Sequence, residues 1–139
     1  MKIFPRLFLL LALTFSLGTA HAARGAKPMV IPTPIAVPEK MAEKSVAKAI
    51  QSSLLGRGWS WTKADEQPGA IDATLNVRQH MLKMRITYGG GIVSMSYLDS
   101  AVLQYEVDEG VPKIHPNASK WIDLLAQDIR TNLARDQLQ

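Results

Sequence analysis

Downstream of residue 22 the chain carries two histidines, His80 and His115. Of all side chains these are the best suited to acid–base or metal chemistry near neutral pH. A metal between them needs Asp or Glu to complete three or four ligands. The chain has no HxxxH, HExxH or Asp-x-Asp spacing, so no metal site is expected. There is no cysteine, which excludes thiolate nucleophiles, thiolate metal sites and disulfides. No G-x-S-x-G elbow is present, and Gly89-Gly90-Gly91 lacks the Lys-Ser/Thr of a phosphate loop, so it reads as a hairpin. Asp108-Glu109-Gly110 reads as a turn, not as a catalytic carboxylate pair. A hydrolase reading places His115 beside an acidic neighbour such as Asp99 or Asp108, and a small-ligand reading uses Trp59, Trp61 and Trp121. Tryptophans at such spacings more often serve the core. No catalytic residue and no cofactor is assigned.

His115-Pro116-Asn117 has a structural reading as the start of a helix led by Trp121. Proline restricts His115 to extended backbone and is tolerated in a first helical turn. Asn117 is a strong N-cap residue, and Ile114 is placed to pack back on Trp121 or Ile122. This reading leaves the histidine itself without a role.

The candidate binding residues are cations. Lys40, Lys44 and Lys48 fall one turn apart on the polar side of an expected helix. Like charges at that spacing cost a few tenths of a kcal/mol, so helix stability does not explain them. An ordinary solvated helix face accounts for them, and contact with an acidic partner or anionic lipid is the alternative. Arg78, Lys83 and Arg85 join them on the expected solvent side of a sheet.

The elements that must position these residues follow from periodicity. Residues 39–55 read as a helix, with Ala42, Val46, Ala49, Ile50 and Leu54 on one face and Gly56 and Gly58 at its end. Four strand-like segments come next: 59–65, 70–78, 81–88 and 92–98. In 70–78, Ile71, Ala73, Leu75 and Val77 alternate with Asp72, Thr74, Asn76 and Arg78. Gln67-Pro68-Gly69 fits a type II turn. Within 99–113, Val102, Leu103, Tyr105 and Val107 are expected to be partly buried. A final helix over 118–133 repeats Trp121, Leu125, Ile129 and Leu133. These elements predict an α+β two-layer sandwich: a four-stranded antiparallel meander with both helices on one face.

The start of the chain reads as an export signal, with Lys2 and Arg6 ahead of the apolar run 7–17 and small residues at Ala20 and Ala22. Cleavage is expected after Ala22, giving a periplasmic protein. Removing Lys2 and Arg6 lowers the formal charge from +4 to +2, so a nucleic-acid partner is not expected. Residues 23–38, with Pro28, Pro32, Pro34 and Pro38, read as an extended tether, and 39–139 as a single domain. No further segment is expected to span a membrane.

The run IHPNASKWIDLLAQDI, with SYLDSAVLQYE and GRGW before it, resembles a family of small proteobacterial envelope proteins, many of them lipoproteins. The resemblance covers roughly residues 39–133. This chain differs in lacking the lipid-accepting cysteine and in carrying Ala118 where that family has an aromatic residue. The resemblance implies an envelope location and brings no activity with it. The expected function is therefore a non-enzymatic, soluble periplasmic domain that binds an envelope protein or an anionic membrane surface.

Overall fold

The computed structural model describes residues 25–64 and 66–139. The export signal expected at 1–22 lies outside them. Two helices and two antiparallel sheets form an α+β domain. The expected single meander is replaced by a five-stranded sheet, ordered β2-β6-β5-β4-β3, and a three-stranded one, ordered β1-β8-β7. The strands are β1 (Lys27–Pro28), β2 (Ile35–Ala36), β3 (Ser60–Lys63), β4 (Ala70–Val77), β5 (His80–Gly89), β6 (Ile92–Ala101), β7 (Glu106–Asp108) and β8 (Val111–Ile114). The helices are α1 (Glu43–Gly56) and α2 (Pro116–Gln137).

The meander itself is present as β3 to β6, and its alternation holds. Ile71, Ala73, Leu75, Leu82, Met84, Ile86, Val93 and Met95 all point into one core. Their partners on the helices are Val46, Ile50 and Leu54 of α1, and Ile122, Leu125, Ile129 and Leu133 of α2. Each of these buried Val, Leu, Ile and Met side chains contributes roughly 1.5–3 kcal/mol. Tight reversals join the strands. Gly90 and Gly91 have φ of 61° and 78°, the left-handed pair that a two-residue hairpin needs. Gly69, with φ of 72°, occupies the position where a type II turn requires glycine.

The extra strands come from segments that carry little periodicity. The proline-rich stretch is extended, as its composition requires, and lies along the domain. Lys27 and Pro28 pair with Ile114 and Lys113, and Ile35 and Ala36 pair with Val93 and Ile92. Between them Met29 N–H donates to the Pro112 carbonyl at 2.8 Å. Val30 N–H donates to Ser119 Oγ at 3.2 Å. Beyond β6 the backbone is strained: Val102 and Gln104 have φ of 59° and 55°, a region that β-branched residues avoid. Leu103 between them is buried, and Tyr105 stacks on Tyr97 with ring centroids 4.0 Å apart. Burial pushes the Tyr97 phenol above its usual range. Val102 and Val107, expected to be partly buried, are 57% and 60% exposed.

The helices are held to each other by two polar links. Buried Ser53 donates to the Ala49 carbonyl and accepts from Asn132 Nδ2, both at 2.8 Å. Arg57 closes a fork on Asp128 at 2.6 and 3.1 Å, which holds that carboxyl below the usual range. The chain reversal at Gly58 (φ 77°) ends α1 and feeds Trp59, only 2% exposed, into the core.

Candidate functional site

Three places hold the residues singled out by the sequence, and the structure sorts them differently. Lys40 is not on α1. It sits in the preceding turn with φ of 65°, closed by Met41 N–H donating to the Pro38 carbonyl at 3.3 Å. That left-handed backbone cannot continue a helix, so the stripe of three lysines is broken. Lys44 and Lys48 remain exposed on α1.

They line an open cleft of about 670 Å³, together with Lys63 of β3 and Tyr88 of β5. Strand β3 is an edge of its sheet, so Lys63 brings a third ammonium from a second element. Lys63 was missed because strand alternation alone does not say which helix the strand will face. Among the described residues Glu43 is the one carboxylate lining this cleft. Among the described residues Lys44, Lys48 and Lys63 make no ion pair. Lys40 lines a neighbouring hollow of about 280 Å³ with Glu39 and Glu43.

The outer face of the large sheet is polar, as expected, but one of its expected binding cations, Arg85, is already paired. Arg85 donates to both oxygens of Asp72, at 2.8 and 2.9 Å. Arg85 holds the Asp72 carboxyl below its usual range, and Lys83 adds to the effect. A bulge at Leu98 shifts the register so that Asp99 lies opposite Lys83. The face therefore sets two carboxylates beside two cations. Arg78 does not belong to it. With φ of 56°, Arg78 forms the two-residue reversal between β4 and β5.

That reversal meets the start of α2. Arg78, His80, His115, Asn117 and Trp121 line one hollow of about 350 Å³. The role of His115, unexplained by sequence, is to cap α2: its Nδ1 accepts the Asn117 N–H at 3.2 Å. Asn117 is thus the second residue of the helix and not its cap, because Pro116 takes the first position. His115 N–H in turn donates to the Leu103 carbonyl at 2.8 Å. Neither of the acids expected beside His115 is there. Asp108 pairs with Lys113, Asp99 accepts from the Ser100 N–H, and neither lines the hollow. No group of three His, Asp or Glu suited to a metal occurs among the described residues.

Of the tryptophans, Trp59 is core, Trp61 packs at its border, and Trp121 is half-buried at the hollow. Among the described residues no helix is long and apolar enough to cross a membrane.

These features define an α+β domain of two antiparallel sheets and two helices, with a lysine-lined cleft at one place and a histidine-lined groove at another. Compared with protein-family models, with curated proteins and with solved structures, the chain matches none.

Proposed function

We propose that this chain is an exported, non-enzymatic binding module of the cell envelope whose lysine-lined cleft receives an acidic segment of a partner protein. The observation that carries this is the convergence of Lys44, Lys48 and Lys63 on one open cleft that, among the described residues, holds a single carboxylate, Glu43. Two of these ammonium groups stand one turn apart on α1, an arrangement that disfavours the isolated helix. An anionic ligand relieves that repulsion. The cleft is concave and bounded by a helix and a strand edge, a shape that suits an extended chain better than the flat face of a bilayer. Support for a binding role over a hydrolytic one comes from His115, whose Nδ1 is occupied as a helix cap and whose hollow is lined by no carboxylate among the described residues. The export signal and the resemblance of the His-Pro-Asn helix start to small envelope proteins support the compartment.

The test is fluorescence anisotropy of labelled octaglutamate titrated with the full chain isolated after export. Binding is expected, weakening as salt rises, since exposed charges are screened over about 8–10 Å near physiological ionic strength. Lys44→Glu/Lys48→Glu/Lys63→Glu should lower affinity at least tenfold, whereas Lys83→Glu should change it little. Octaglutamate that binds the triple variant as well as the parent would refute the cleft. Sedimentation of the chain with anionic phospholipid vesicles, without octaglutamate binding, would put a membrane surface in place of the protein partner.

A further inference from the structure

The hollow at the start of α2 continues into a second one of about 200 Å³, lined by Arg57, Trp59, Leu75 and Leu124. Val77 and Trp121 line both, so the two adjoin at these side chains and give a groove-like surface with a polar end and a mainly apolar end. The polar hollow alone, about 350 Å³, falls at the lower end of the range of small-molecule sites. We propose that this groove binds a small organic anion with a flat apolar body, its carboxylate held by Arg78 and His115 and its body lying along Trp121.

The hydrogen bonds made by the two imidazoles dictate this polarity. The Val77 carbonyl can only accept, so His80 Nδ1, 3.2 Å away, carries a proton, and the neutral ring has a bare Nε2. The Asn117 N–H can only donate, so His115 Nδ1 is bare and the ring proton sits on Nε2. One ring therefore offers an acceptor and the other a donor. A metal finds just one free lone pair here, on His80 Nε2, because that of His115 Nδ1 is taken by the Asn117 N–H, and among the described residues no carboxylate lines the hollow. An anion finds the His115 Nε2–H and the Arg78 guanidinium, which makes no ion pair among the described residues. A ligand hydroxyl would complete the site at His80.

The backbone around the polar end is held in costly conformations. Arg78 has φ of 56° on one side, and Val102 and Gln104 flank Leu103 with φ of 59° and 55° on the other. Leu103 lines the same hollow and bonds His115 through its carbonyl. Strain of this kind persists where the surroundings enforce it and is concentrated at binding sites. The groove shares no lining residue with the lysine cleft, so the two sites are separable.

Phenylacetate is the probe, followed by ¹H–¹⁵N NMR on the full chain isolated after export. Saturable shifts are expected at residues 77–80 and 115–121, including the Trp121 indole N–H, with Kd on the order of 0.1–1 mM for so small a ligand. Arg78→Gln should weaken binding about tenfold. His115→Asn keeps a helix cap while removing the ring, so it should weaken binding without unfolding the chain. The lysine triple variant should bind phenylacetate unchanged. Benzyl alcohol binding as tightly as phenylacetate overturns the assignment, as do shifts that are unsaturable or indifferent to Arg78→Gln.

Discussion

Arg85 and Asp72, directly opposite each other on β5 and β4, form a two-pronged ion pair at 2.8 and 2.9 Å on the outer face of the sheet. The pair removes Arg85 from the cations open to a partner and ties the central strand β5 to its neighbour β4 on the side away from the helices. It also gives the domain a defined response to acid.

Asp72 and Asp128 are both held below the usual carboxylate range, foremost by hydrogen bonds from Arg85 and Arg57 respectively. A carboxyl lowered in the folded state adds stability that is fully present above its unfolded value, about 3.9. That stability is lost as pH falls toward the lower folded value. Protonation of these two carboxyls should therefore lower the urea midpoint below about pH 4. Asp72→Asn/Asp128→Asn should start lower at pH 7 and decline less steeply. Parallel curves for parent and variant would show that other groups govern the acid response.

His115 caps α2 through its ring nitrogen. Loss of an N-cap typically costs about 1 kcal/mol, so His115→Ala should destabilise the domain by roughly that amount in chemical denaturation. Asparagine is a preferred cap, and His115→Asn should recover most of the loss. Equal stability of the alanine and asparagine variants would mean that the ring acts by packing instead.

Gly69 is required twice over. Its φ is 72°, and an added β-carbon would lie 2.5 Å from the Tyr88 carbonyl oxygen. That carbonyl is backbone and cannot step aside as a side-chain tip can, and Tyr88 N–H is already bonded to the Gly69 carbonyl at 2.8 Å. Gly69→Ala should cost about 2 kcal/mol or more. Gly56→Ala makes the contrast: it ends α1 with open space around it, and should be neutral or stabilise by up to about 1 kcal/mol. Thermal unfolding of the two variants separates these outcomes.

The sequence by itself determined the elements whose burial is periodic. Strands β3 to β6 alternate because one side of a single sheet is wet, and α1 and α2 carry apolar residues every three or four positions because one stripe of each is buried. Both signals are local, set by backbone geometry alone. The tight turns at Gly69 and Gly90-Gly91 were legible for the same reason. What the tertiary structure alone decided is which distant segments meet. Two-residue strands such as Lys27–Pro28 and Ile35–Ala36 are too short to show a period and exist only through their partners. The bulge at Leu98 sets Asp99 against Lys83, and the left-handed turn at Lys40 takes that residue off the helix. Lys63 joins Lys44 and Lys48 across elements, Arg85 is claimed by Asp72, and His80 meets His115 from 35 residues away. A charge or an imidazole is visible in a sequence, but its neighbours, and hence its chemistry, are created when the chain closes on its core.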